Sequence, residues 1–257
     1  MMPLFSGFRQ PRLFVFDMDN LQAKARQYAT DYYNAEPFPH AVIDNFLPED
    51  IADHIAEDFP KPDSHAWLDG TKRDTVHQPK KQGIGSAERL VHASPFIQHM
   101  LAMFNSYPVL AFLESLTGIS HLLPDPYLHG GGLHQILPGG KLSIHADFNY
   151  EEHIQLYRRI NLLLYLNRNW KDSYGGHLEL WDKDMKQCVK RVAPIFNRCV
   201  IFNTDKYSYH GHPDPLAAPP GVTRKSVALY YYTKKPKEGE NDPRLTDWQR
   251  RPGKDDT

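Results

Sequence analysis

Cysteine is scarce: the 257 residues hold only Cys188 and Cys199. That is too few for a disulfide framework, and a reduced, cytoplasmic setting is the expectation, although the two could still pair. Long apolar runs are also missing. Runs such as residues 162–166 fall far short of the ~20 residues that a membrane-spanning helix needs. Arg9 and Arg12 precede only a short run at 13–16, unlike a secretory leader, so no membrane partner is expected. Charge of one sign is not in excess. With 30 Lys and Arg against 31 Asp and Glu the net charge is −1, which offers no broad field to attract nucleic acid. No internal repeat is visible, and nothing in the pattern sets an oligomeric state.

A 40% hydrophobic share is enough to fill a real core. The N-terminal half carries most of the helical spacing. Leu21, Ala25, Tyr28 and Tyr32 suggest a helix over about 21–33. Residues 40–44 read as a strand. Pro48, Glu49 and Asp50 then open a helix with Ile51, Ile55 and Phe59 on one face. Residues 61–93 look like a polar surface excursion. Two helices follow over 95–118, divided at Pro108 and stopped at Gly118. From about residue 127 the character changes. Short β-rich segments at 142–147, 160–167, 177–182, 188–192, 199–203 and 226–233 are separated by Gly and Pro turns. The expected fold is mainly β with flanking helices, its core a barrel or double-sheet jelly roll. One domain of 1–257 is expected, with 1–126 as mostly helical support, 127–233 as the β core and 234–257 as a loosely packed charged tail anchored by Trp248.

Chemistry concentrates in the β region. Strand side chains alternate, so Ser143, His145 and Asp147 share one face and Leu142, Ile144 and Ala146 the other. His145 and Asp147 can thus approach one metal, and a later histidine would complete two nitrogens and a carboxylate, capping one face of Fe(II) and leaving positions open. His210 and His212 both compete for that third place. His210 is preferred because it follows a strand directly, while His212 precedes Pro213 and is biased toward an extended turn. His212 then becomes a substrate-side or supporting residue. The same donors also suit catalytic zinc.

Downstream, Arg224, Ser226, Ala228 and Tyr230 share a strand face, with Lys225, Val227 and Leu229 opposite. A guanidinium and a nearby hydroxyl suit a carboxylate. In residues 160–167, Asn161, Leu163 and Tyr165 share a face, and a buried Tyr165 hydroxyl needs a partner. Substrate contacts are assigned to Asn149 and to His134 and Gln135. Residues 148–159 form a charged loop that can wall the pocket.

Together these residues resemble the Fe(II)- and 2-oxoglutarate-dependent dioxygenases, most closely the prolyl 4-hydroxylase-like branch, over about 133–233. The family pattern His-x-Asp, distal His, Arg-x-Ser is met by His145, Asp147, His210, Arg224 and Ser226. The stretch from Tyr165 to Trp170, then Gly175, Gly176 and His177, is similar too, and implicates Tyr165 in cosubstrate binding. The resemblance implies a double-stranded β-helix core, with Fe(II), 2-oxoglutarate and O₂ as cofactor and cosubstrates and ascorbate as an accessory reductant. It implies hydroxylation of an unactivated C–H bond in an amino acid, a peptidyl residue or a small natural product. Collagen-type relatives use lysine for the clamp, so Lys225 stands beside Arg224 as a candidate. Related halogenases lack the carboxylate that Asp147 supplies here, which favours hydroxylation.

Two other readings compete. Residues 14–20, with Asp17 and Asp19, resemble the first motif of haloacid dehalogenase-type phosphatases, a parallel α/β family. A non-catalytic cupin-like barrel would use the histidines only to hold metal.

Overall fold

A computed structural model describes residues 13–67, 75–254 and 256; Arg9, Arg12 and part of the 61–93 stretch lie outside them. The elements in chain order are α1 (Met18–Asn34), β1 (His40–Ile43), α2 (Glu49–Glu57), β2 (Lys81–Ile84), α3 (Ala87–Leu90), α4 (Pro95–Phe104), α5 (Tyr107–Thr117), β3 (Leu123–Pro124), β4 (Gly132–Ile136), β5 (Leu142–Ala146), β6 (Tyr150–Glu151), β7 (Leu156–Tyr165), β8 (Leu178–Trp181), β9 (Cys188–Val192), β10 (Arg198–Asn203), β11 (His210–His212), β12 (Arg224–Thr233) and β13 (Asp247–Trp248).

Two sheets face each other. The larger runs β1-β10-β7-β12-β4-β2, with β3 against β12 and β6 against β7; the smaller runs β13-β5-β11-β8-β9. Every strand pairing among the described residues is antiparallel. That architecture is a jelly roll, and it removes the parallel-sheet phosphatase reading. Asp17 has a structural duty instead. Its carboxylate caps α1 by accepting the Asn20 N–H at 3.0 Å.

Local chemistry explains the helices. Ser94 caps α4 by accepting the Ile97 N–H at 3.1 Å, and Pro95 occupies the first turn. Gly118 ends α5 in the left-handed region at φ 71°. The helices cover the outer face of the large sheet. Ile160, Leu162 and Leu164 of β7 and Val227 and Leu229 of β12 join Ile55, Ile97, Phe104 and Phe112 in one core. The inner face sends Tyr165, Val200 and Phe202 into a second core with Leu178, Leu180 and Val192 of the small sheet.

Three boundaries differ from the sequence expectation. The helical region is not separate from the β core, because β1 and β2 extend the large sheet at both ends. The 61–93 stretch is not wholly an excursion, since β2 pairs along β4. The tail is not loose. Its β13 pairs with β5, setting Trp248 opposite His145, and Arg251 bonds Asp256 and Asp214. Backbone pairing and the Arg251 ion pairs hold it where a charged composition suggested solvent. Cys188 and Cys199 are not joined to each other.

The β5–β11 pairing carries an irregularity. His210 pairs with His145, but His212 pairs with Leu142, so three steps on β5 meet two on β11, as in a β-bulge. Gly211 permits it. A Cβ there would lie 2.7 Å from the Ser143 oxygen and 2.8 Å from the Leu142 oxygen. Gly211→Ala should therefore destabilise the protein by about 1–3 kcal/mol, a midpoint loss of about 2–4 °C per kcal/mol in a chain of this size. Differential scanning calorimetry would measure it; an unchanged midpoint would mean that the bulge does not need this close approach.

Candidate active site

Direct pairing of His210 with His145 brings their side chains to one place. His145, Asp147 and His210 converge, with one ligand atom from each within 4.8 Å of the others and all three residues buried. His145 Nε2 is 3.5 Å from Asp147 Oδ1, and His210 Nε2 is 3.4 Å from Asp147 Oδ2. Each imidazole donates its Nδ1–H to a backbone carbonyl, Ser143 for His145 and Ser208 for His210, both at 2.9 Å. A carbonyl can only accept, so these bonds fix the tautomers and leave both Nε2 lone pairs facing the carboxylate. Two imidazole lone pairs and one carboxylate in this arrangement could hold Fe(II).

Electrostatics prepares the carboxylate. Burial would raise the Asp147 carboxyl, but the Arg158 charge and the two imidazoles outweigh it and hold the group well below the usual range. Arg158 Nη2 reaches Asp147 Oδ2 at 2.9 Å, and Asn161 Nδ2 donates to the same oxygen at 2.8 Å. Arg158 in turn donates to Asn161 Oδ1 from Nε at 2.9 Å and Nη2 at 2.7 Å. Its guanidinium lies 3.4 Å from the Tyr230 ring centroid and 4.7 Å from that of Phe148.

The triad opens on a cavity of about 400 Å³ between the sheets, which Arg224, Ser226, His134 and His212 also line. Arg224 donates from Nε to the Gly176 carbonyl at 2.7 Å and from Nη2 to the Tyr165 hydroxyl at 3.1 Å. Gly176 has φ 67°, and a Cβ there would meet Leu216 at 2.5 Å and Arg224 at 3.1 Å. Ser226 pairs with Tyr165 in the β7–β12 register. Lys225 projects the other way, its Nζ 5.6 Å from the Phe59 ring, so of the two cations Arg224 is the one in the cavity.

Several expected residues sit elsewhere. Asn149 does not reach the cavity. Its side chain donates to the Asp242 carbonyl at 2.9 Å and accepts the Arg244 N–H at 2.6 Å, tying the tail to the end of the metal strand. Gln135 points to the opposite face of β4 from His134. It donates to Gln82 at 2.6 Å and accepts from Thr223 at 3.0 Å. Alternation along β4 could have separated the two. Leu142 was expected to face away from His145, yet both line the cavity, because the bulge shifts the alternation. Arg158 was read as part of a charged loop. It is 3% exposed and belongs to β7; alternation from Asn161 would turn it outward, but the register shifts where Ile160 and Arg158 meet Tyr231 and Tyr232, and this brings it to the inward face. Thr246 and Trp248 from the tail also line the cavity.

With this geometry in place, comparison with known proteins supports the same family over the β core. Residues 131–232 match the 2OG-Fe(II) oxygenase superfamily. The chain carries a 2OG-Fe(II) oxygenase domain. Mouse prolyl 3-hydroxylase OGFOD1 is 34% identical over 79 residues, 29% of this chain and 14% of that protein. The matched part is thus a small fraction of that relative. A Trichoplax adhaerens prolyl hydroxylase, solved with a fragment of a hypoxia inducible factor, superposes with TM-score 0.59 at 18% identity, covering 84% of this chain and 92% of that one. HygX from Streptomyces hygroscopicus, solved with nickel, 2-oxoglutarate and hygromycin B, gives 0.53 at 12% identity, covering 81% and 87%. At these identities the structural likeness is one of fold. The oxygenase domain thus has the expected jelly-roll core, and its triad fits the iron of the family.

Burial also sets a pH signature. It pushes His210 down to about 4, against the opposing pull of Asp147. Burial likewise lowers His134 and His212, helped by Lys81 and Arg224. In the unfolded chain these rings titrate near 6.5, so below that pH the unfolded state binds more protons and stability falls. For the metal-free protein we expect a progressive loss between about pH 6.5 and 4, on the order of 3 kcal/mol from His210 alone. Urea midpoints at pH 7.5 and pH 5 would show it; equal midpoints would mean that these rings stay accessible to protons in the folded state.

Proposed function

We propose that this chain is a 2-oxoglutarate-dependent hydroxylase acting on a peptidyl residue, with proline the first candidate. The observation that carries the reading is one cavity holding both a buried two-histidine, one-carboxylate cluster and a buried guanidinium bonded to a tyrosine hydroxyl. A barrel that only held metal would have no use for the second group. The names of OGFOD1 and of the Trichoplax enzyme support the choice of proline.

His145, Asp147 and His210 would hold Fe(II), and Arg224, Ser226 and Tyr165 the distal carboxylate of 2-oxoglutarate. With O₂ and a suitable substrate, such a centre supplies oxidative decarboxylation to succinate and CO₂ coupled to hydroxylation of a C–H bond. The chain's own part is positioning. Arg158 and Asn161 fix the Asp147 carboxylate and keep it anionic. Gly176 sets the Arg224 guanidinium by accepting from Nε, which aims its remaining donors. Burial keeps the Tyr165 phenol protonated and able to donate. Ile136, Leu142, Leu163 and Leu178 line the same space and limit water. The unjoined cysteines support a reducing, cytoplasmic setting.

The test supplies Fe(II), 2-oxoglutarate, ascorbate and a library of prolyl peptides, and follows succinate release and a +16 Da product. Asp147→Ala should abolish turnover and also cost about 3–5 kcal/mol of stability, because it leaves the Arg158 charge buried without its partner, and Arg224→Ala should raise the KM for 2-oxoglutarate roughly 10- to 100-fold, the range for a lost charge-assisted contact. Full hydroxylation by Asp147→Ala would remove this carboxylate from the metal site and sink the reading.

A further inference from the structure

His212 is a polar group in the cavity that the hydroxylase reading leaves unused, and both its ring nitrogens are unpartnered. It lies on β11 two residues beyond His210, is 3% exposed, and lines the cavity. Neither Nδ1 nor Nε2 has a hydrogen-bond partner within the protein. A buried imidazole normally satisfies at least one nitrogen, and leaving both bare costs free energy. His145 and His210 each spend Nδ1 on a carbonyl; His212 does not.

Its place suggests what it is kept for. It shares a strand face with His210, two residues before it, and pairs with Leu142, which also lines the cavity. Arg224 and Lys81 are close enough to act on it electrostatically, so this end of the cavity is positive. Arg224 approaches from the large sheet, His212 from the small one. Two strand residues span roughly 7 Å, so β11 offers one ring at the metal end and another toward the clamp end. A short linear diacid that chelates a metal at His210 would bring its far carboxylate near His212.

We propose that His212 donates a hydrogen bond to the distal carboxylate of 2-oxoglutarate, closing from the small sheet the anion clamp that Arg224, Ser226 and Tyr165 form on the large one. The inference rests on the reading of this cavity as a 2-oxoglutarate site. The bare nitrogens then exist for the ligand. The free protein tolerates an unsatisfied ring, and binding satisfies it.

The test uses the full chain loaded with Zn(II), so that binding is read without turnover. Calorimetry of 2-oxoglutarate binding compares the wild type with His212→Leu and His212→Gln. The Leu variant should bind about tenfold more weakly, the effect of one lost hydrogen bond to a charged group, with Zn(II) affinity unchanged. The Gln variant, which keeps a donor, should stay within about threefold of wild type. Without cosubstrate the Leu variant should melt no lower than wild type, because it removes an unsatisfied buried group. As a measurement needing no variant, the ¹⁵N signals of the His212 ring should shift when 2-oxoglutarate is added. Wild-type affinity in the Leu variant, a Gln variant as weak as Leu, or an unmoved ring signal would each overturn the assignment. A wild-type protein that binds Zn(II) but no 2-oxoglutarate would remove the hydroxylase reading along with it.

Discussion

A single buried negative charge organises this molecule. Asp147 is 7% exposed, and an unpaired carboxylate at that depth would either take up a proton or prevent folding. Arg158 supplies the opposite charge from the other sheet, and Asn161 shares its amide between the two. The guanidinium is equally unable to stand alone, and the Tyr230 and Phe148 rings cover it. Burying such a pair adds little net stability, because desolvation offsets much of the attraction. What it secures is position. The carboxylate is held where two imidazole lone pairs already point, so the metal site is assembled before any metal arrives.

The same strand is braced from outside by the C-terminal segment. Arg244 donates to the Asp147 carbonyl at 2.7 Å, Gln249 N–H bonds the Ile144 carbonyl at 2.8 Å, and Asn149 grips the backbone of Asp242 and Arg244. Trp248 stacks on His77 at 4.4 Å and lies 4.8 Å from the His145 ring. The tail therefore protects an otherwise open sheet edge beside the metal strand and supplies one wall of the cavity. Its charge and proline content gave no hint of this, because the holding interactions are backbone pairings to a strand far away in sequence, Asp247 with Ala146 and Trp248 with His145.

Much of the core could be read from alternation. In β7 the apolar run Ile160, Leu162, Leu164 goes to the helices while Asn161, Leu163 and Tyr165 face inward; in β12 Arg224, Ser226, Ala228 and Tyr230 face the cavity. Period two is a local property, so sequence carries it directly. Where it fails, a long-range cause intervenes. Leu142 turns inward because Gly211, on another strand, lets β5 bulge against it. Arg158 sat among charged neighbours in what read as a loop, and a register shift against β12 turns it, rather than Arg159, toward Asp147. Asn149 had the right chemistry and the right neighbourhood, but its partners come from the tail. The sequence preference for His210 over His212 agrees with the fold: both lie on β11 and both reach the cavity, but only His210 meets Asp147.

The two sheets divide the labour, and that division links activity to packing. The small sheet brings the metal-facing histidines on β5 and β11, while the large sheet brings the countercharge on β7 and the clamp on β12. Neither sheet holds a complete site. The cavity exists only while the inner faces stay in register, and the core of Phe38, Tyr165, Leu178, Leu180, Val200 and Phe202 keeps them there. Phe202 lies with its ring 4.7 Å from that of His210, and Tyr165 serves both the core and Arg224. Side chains that fill the interior thus also aim the ligands. Because a close-packed core yields discrete rather than graded rearrangements, a change in this layer would move the metal end and the clamp end of the cavity together.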